Sequence, residues 1–193
     1  MSRARRVLIA AGGTGGHFYP GLVLGQTLRD RGWEPLFLLR RDDPAAARLE
    51  KHGLAWVSVD LGGMPRRPNL ELLRFGVRLA RSVGQLSRIV RDFGPELVVG
   101  MGGYLPVPAV AAAARRGVPR AVHESNAVLG LANRVARWLG AELFWGLPPR
   151  DEAAANLVGT PIRPALWERA DRDAARAALG REKGLDTVLV FGG

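Results

Sequence analysis

Three glycine-rich stretches and one histidine carry most of the chemistry legible in this sequence. Gly12-Gly13-Thr14-Gly15-Gly16 leads into His17, Gly100-Met101-Gly102-Gly103 leads into Tyr104, and Gly192-Gly193 follows a third apolar run. Glycine at the end of a strand permits positive φ and lets backbone N–H groups come close to a ligand. A helix behind such a turn adds partial positive charge, which suits the first two turns to phosphate or diphosphate. The same turns also serve as plain strand-to-helix connections. His17 sits on the first of them. An imidazole, with an ordinary pKa of about 6.5, can act there as general base, bind phosphate as a cation, or simply pack on the loop.

The common nucleotide motifs are poor matches. In the dinucleotide fingerprint counted from Gly13 and Gly15, Phe18 takes the place of the third glycine. No acidic residue ends the second strand; Arg40 and Arg41 stand there and suit at best a 2′-phosphate, which leaves an NADP-dependent oxidoreductase as a weak alternative. A phosphate-binding P-loop is excluded because His17 replaces its second glycine and no Gly-Lys-Ser/Thr follows. His123-Glu124-Ser125-Asn126 ends a later apolar run in the ligand-facing position. Glu124 and Asn126 can hydrogen-bond sugar hydroxyls or cap the helix that follows, and the sequence leaves both open. With three histidines and no cysteine, the chain is poorly equipped for a metal site, and no metal or other cofactor is expected.

Short apolar runs alternate with helix-patterned segments, the pattern of βαβ units and a parallel sheet. Strands are expected at 7–11, 36–39, 55–59, 96–99, 121–122 and 142–145. Helices are expected from Pro20 to Arg31, after Asp43-Pro44, from Asn69 to Phe93, and over about 106–116 and 129–139. Pro20 reads as a first-turn proline. Ligands of open α/β sheets bind at the carboxyl ends of the strands, where both glycine turns fall. Asn156 to Arg163 reads as a short strand running into a linker, and residues 171–179 as a helix. The run 187–193 repeats the opening design. The expected fold class is therefore α/β, a Rossmann-like parallel sheet with helices on both faces.

At 193 residues the chain suffices for one well-cored domain but not two full α/β domains. The net charge of +10 rests almost wholly on arginine, since Lys51 and Lys183 are the only lysines, and favours anionic partners. Between 66 and 91, seven arginines face one acid, Glu71, with leucines interleaved. Leu70, Leu73 and Phe75 with Arg66, Arg67, Arg74 and Arg78 are expected to meet an anionic membrane surface. Burial of this helix by another domain or a second copy is the alternative. Nucleic acid is not an expected partner, because the arginines accompany leucines rather than a base-stacking aromatic platform. No apolar stretch approaches the ~20 residues needed to span a bilayer.

Taken together, Gly12 to His17 with Pro20-Gly21-Leu22, Gly100 to Tyr104, His123 to Asn126 with Gly130 and Asn133, and Gly159 to Arg163 resemble the MurG family of glycosyltransferases. The resemblance covers the chain from about residue 7 onward, in the family's order. It implies the N-terminal half of a two-domain GT-B enzyme. Residues 1–158 would form an acceptor-binding domain, and 159–193 a linker with the first helix and strand of a truncated donor-binding domain. The implied reaction is inverting transfer of N-acetylglucosamine from UDP-N-acetylglucosamine to the muramyl C4 hydroxyl of lipid I, giving lipid II for peptidoglycan. The implied location is peripheral, on the cytoplasmic face of the bacterial inner membrane.

Position by position, the resemblance makes His17 the base. Thr14, Gly15, Gly16, Asn126 and Arg163 become donor contacts, and Gly102, Gly103, Tyr104 and Glu124 line the acceptor cleft. The serine the family carries after the third glycine pair is beyond Gly193, so the chain alone is expected to bind the uridine nucleotide poorly and not to turn over. A binding module for diphosphate-lipid or sugar-nucleotide ligands, without catalysis, is the competing expectation.

Overall fold

A computed structural model describes residues 4–61, 70–150, 153, 156–166, 171–181 and 188, with backbone alone at 71 and 72. Six strands, β1 (Arg5–Ala10), β2 (Trp33–Arg40), β3 (Ala55–Val59), β4 (Leu97–Gly100), β5 (Arg120–Glu124) and β6 (Glu142–Trp145), form one sheet. All its pairings are parallel and the order is β3-β2-β1-β4-β5-β6. Between them run α1 (Gly15–Asp30), α2 (Ala45–Lys51), α3 (Leu70–Phe93), α4 (Pro106–Arg115) and α5 (Leu131–Trp138). This is the doubly wound Rossmann-like order. Its topological switch point lies between β1 and β4, where the chain turns to opposite sides of the sheet.

Alternation along β1 shows how the apolar run serves both faces. Val7, Ile9 and Ala11 pack with Phe18 and Leu22 of α1 and Leu49 of α2. Leu8 and Ala10 point the other way, to Phe75, Leu86 and Val90 of α3 and the alanines of α4. A strand buried on both sides has no place for polar residues, which is why it reads as a continuous apolar run. Small residues set the distances: a Cβ on Gly25 would collide with the Phe37 ring, letting α1 lie close on the sheet only as glycine.

Two expectations need correction. Helix α1 begins at Gly15, not Pro20, so Pro20 lies inside the helix and Gly15, Gly16 and His17 form its first turn. Pro20 costs one intrahelical N–H bond, but the helix is already initiated by the Thr14 carbonyl, which accepts from His17 N at 3.1 Å and Phe18 N at 3.0 Å. Phe75, expected at a lipid boundary, is buried in the core and meets the Tyr104 ring edge-on at 6.0 Å. The interleaved leucines made the start of α3 look apolar on several sides; the side chain that faces the sheet is Phe75.

The chain divides into two compact units, Met1–Pro161 and Ile162–Gly193. Past β6, the expected strand near 156–163 amounts to a single bridge, Leu157 to Trp145. In the second unit a short 3₁₀ turn (Pro164–Leu166) precedes α6 (Arg172–Ala178), whose cap is Asp171 accepting from Ala174 N at 2.8 Å. The expected strand at 187–193, apart from Val188, and residues Arg66 and Arg67 lie outside the described residues. Among the described residues, no helix is long and apolar enough to cross a membrane.

Candidate functional site: two glycine turns meeting at His17

The first glycine turn leaves β1 and the second leaves β4, and these strands are direct neighbours in register, with Ala10 beside Gly100. Strand order therefore brings together two turns that lie ninety residues apart in sequence. They converge on one side chain. A Cβ added to Gly102 would lie 2.6 Å from His17 Nδ1, and one added to Gly103 would lie 3.4 Å from His17 Cδ2. Both glycines have positive φ, +96° and +68°. Only glycine satisfies the space and the backbone at Gly102 at once, so the second turn is shaped around the imidazole of the first.

His17 Nδ1 is buried there without a hydrogen-bond partner. Burial is the largest influence on the ring and lowers its pKa below 6.5; the Glu124 charge and the Met101 backbone oppose this, and His123 reinforces it. Lowering by desolvation keeps the imidazole neutral at pH 7, the form that accepts a proton. Beside it, Gly13 through Gly16 are exposed, with Thr14 at the helix N-cap position. The Gly15 and Gly16 amides open the helix and have no intrahelical acceptor by the geometry of a helix start. Exposed donors of this kind suit an anion.

On the far side of β4, the end of β5 carries His123 and Glu124, both buried. Glu124 is saturated by its own chain. Its Oε1 accepts from Asn126 N at 3.0 Å and Asn126 Nδ2 at 2.8 Å, and its Oε2 from Gly130 N at 3.0 Å and Asn133 Nδ2 at 2.8 Å. Of the two roles the sequence left open, the local one accounts for every hydrogen bond this carboxylate makes. Burial by itself would raise its pKa, but the bonds from Gly130, Asn126 and Asn133 outweigh burial and hold it below 4.5. Asn126 itself is exposed, its amide nitrogen held by Glu124 Oε1. His123 Nε2 lies 2.9 Å from the Gly159 carbonyl, tying the end of β5 to the segment after β6.

Two residues near the first turn had other readings in the sequence. Asp43, taken as the opening of α2, reaches back thirty residues: its Oδ2 accepts from Gly13 N at 2.8 Å, while Oδ1 accepts from Ala45 N at 3.0 Å. Arg40, considered for a 2′-phosphate, gives its Nη1 hydrogen bond to the Tyr104 hydroxyl at 3.1 Å. A Cβ on Gly12 would lie 2.8 Å from Asp43 Oδ2, so the absence of a side chain there leaves room for this carboxylate.

Of the residues expected at a membrane, Leu70, Leu73, Arg74 and Arg78 are exposed on α3, and Val77 and Arg81 extend the same face. Arg163 is exposed and belongs to the second unit. The structure thus gathers Thr14, Gly15, Gly16, His17, Gly102, Gly103 and Tyr104 at one switch point, with Glu124 near enough for its charge to act on His17.

Open doubly wound sheets take their ligands at the switch point, where the two glycine turns of this chain lie. Residues 7–144 match the glycosyltransferase family 28 N-terminal domain, and the chain belongs to that family. It is 39% identical over 191 residues to a UDP-N-acetylglucosamine–N-acetylmuramyl-(pentapeptide) pyrophosphoryl-undecaprenol N-acetylglucosamine transferase of Elusimicrobium minutum, covering 98% of this chain and 53% of the relative. The like-named protein of Bordetella parapertussis is 40% identical over 196 residues, covering 98% and 52%. The crystal structure of Acinetobacter baumannii MurG superposes with a TM-score of 0.71 at 26% identity, over 81% of this chain and 45% of that one. The resemblance to the MurG family stands, and the chain spans about half the length of the curated relatives it matches.

Proposed function

We propose that this chain is the acceptor half of an inverting glycosyltransferase that moves N-acetylglucosamine from UDP-N-acetylglucosamine to the muramyl C4 hydroxyl of lipid I. The observation that carries the reading is the burial of His17 between two glycine turns at the switch point. Nδ1 is closed off beneath Gly102, so the base acts through Nε2. In the step, the acceptor O–H gives its proton to Nε2 while its oxygen attacks the anomeric carbon. The bond from that carbon to the diphosphate breaks, and UDP leaves with the electron pair from the opposite face. The exposed Gly15 and Gly16 amides, with Thr14, meet the donor's sugar-diphosphate end, and their fixed dipoles stabilise charge as it grows on the leaving group. Asn126, held by Glu124, presents its amide to the donor sugar. Gly102, Gly103 and Tyr104 line the acceptor side, while Glu124 serves that cleft by ordering it.

Residues 1–158 form the acceptor domain in this reading and 159–193 begin the donor domain, so turnover requires the donor half. Exposed Leu70, Leu73 and Val77 among Arg74, Arg78 and Arg81 support peripheral binding to an anionic membrane surface, which this reading puts on the cytoplasmic side.

The test is transfer of labelled N-acetylglucosamine to lipid I by the polypeptide that joins this chain to its donor half. A positioned general base contributes about 10²–10⁴-fold, so His17→Ala should lower kcat by that much while UDP-N-acetylglucosamine still binds. Undiminished kcat removes His17 as the base; no lipid I-dependent transfer by the wild type rejects the reading as a whole.

A further inference from the structure

We propose that Arg40, steadied by Asp43, is a positioning residue that braces the two glycine turns against each other and so holds the pocket in which His17 sits. The proposal rests on the transferase reading for its kinetic consequence, though not for its geometry.

The bonds form a circuit. Gly13 N, on the first turn, donates to Asp43 Oδ2 at 2.8 Å. Arg40 Nε lies 3.8 Å from the same oxygen, and Arg40 Nη1 donates to the Tyr104 hydroxyl at 3.1 Å. Tyr104 directly follows Gly102 and Gly103, the residues whose missing side chains make room for His17. His17 stands in the first turn of α1, three residues after Thr14, and closes the circuit. Besides the Met101 backbone acting on His17, the Asp43–Arg40 pair supplies a polar link between the two turns, from Gly13 N to the Tyr104 hydroxyl.

Burial makes this link consequential. The Asp43 side chain is 1% exposed and that of Arg40 34%. A buried carboxylate left without its partners is costly, so Asp43 constrains both Gly13 and the α2 start, where Ala45 N donates to its other oxygen. Arg40 suits the role better than lysine would. Its planar fork can face the carboxylate and the phenol together, where an ammonium on a flexible stem acts as a point charge. The Tyr104 ring is fixed from the other side by Phe75, so the hydroxyl is presented at one place and the arginine sets which turn spacing goes with it.

A merely solvated arginine makes different predictions. Arg40→Gln, Tyr104→Phe and the double variant are compared in the intact enzyme by kcat/KM for lipid I. In parallel, the His17 ring is titrated by NMR, with His52 as an internal control. If the brace is real, each single variant loses roughly tenfold, the scale of one hydrogen bond. The double variant loses no more than the worse single one, because both cut the same tether. The His17 midpoint also rises toward that of an exposed histidine in Tyr104→Phe, which removes the tether and keeps every charge. Arg40→Lys restores less than half of the loss. Losses that multiply in the double variant, or a His17 midpoint unmoved by Tyr104→Phe, overturn the brace. Absent transfer in the wild type counts against the functional reading instead, and the His17 titration still decides the geometry.

Discussion

Replacing Glu124 by glutamine changes one atom of a group that holds three other residues of the chain, Asn126, Gly130 and Asn133. The carboxylate accepts four hydrogen bonds between 2.8 and 3.0 Å, two on each oxygen. An amide keeps one acceptor oxygen and turns N–H groups on the other pair of donors, so two partners lose their acceptor. A hydrogen bond to a charged group contributes about 1.5–3 kcal/mol, and relief from burying the charge offsets part of the loss; the net cost is about 2–4 kcal/mol. In a domain of this size each kcal/mol moves Tm by about 2–4 °C, giving a fall of about 4–16 °C. Thermal and urea melts of wild type and Glu124→Gln at pH 7 measure it. The wild-type advantage also has a pH signature. Because the folded carboxyl titrates below 4.5, this stabilisation is full above the unfolded value and disappears as pH falls through the folded one. The two proteins should therefore converge in acid. A difference under about 1 kcal/mol at pH 7, or one that persists unchanged at low pH, would refute the reasoning.

The other expectations concern His17, its glycine cover and α3. Since burial lowers the His17 pKa below 6.5, the acid limb of kcat/KM should fall below that value, and stability should decline as pH drops from 6.5 through the folded pKa; His17→Gln should flatten that decline. Gly102→Ala, facing both the ring and a φ of +96°, should lose about 1–3 kcal/mol in melts and shift the His17 resonances. Phe75→Ala should cost about 3–5 kcal/mol as a core truncation. Leu73→Glu on the exposed face should change stability by under about 0.5 kcal/mol, yet weaken sedimentation with anionic liposomes. Equal sedimentation of Leu73→Glu and wild type would count against the membrane face.

Much of this arrangement is legible in the sequence. Buried parallel strands announce themselves as apolar runs, and their glycine endings marked the turns after β1 and β4. The joint order of the motifs pointed to the family. What the sequence hid was of one kind: contacts between residues far apart. Asp43 looked like a local helix opener because nothing nearby reveals that Gly13 N needs an acceptor. Arg40 invited a phosphate because its phenol partner lies on another strand's turn, 64 residues on. Phe75 was misplaced because a leucine-rich helix start shows its inner face only once the sheet is there to bury it. The start of α1 was misjudged for the opposite reason. A first-turn proline is the local preference, but the Thr14 carbonyl begins the helix at Gly15, five residues before Pro20 is reached.

The claim beneath the whole account is that the turn at Gly13–Gly16 and the turn at Gly102–Tyr104 are one binding site. Backbone amide NMR during titration with a short-chain, water-soluble lipid I analogue tests it most directly. The account predicts that amides of both turns, and the His17 ring, shift together along one binding curve. Shifts confined to a single turn, or two curves with different midpoints, would contradict it.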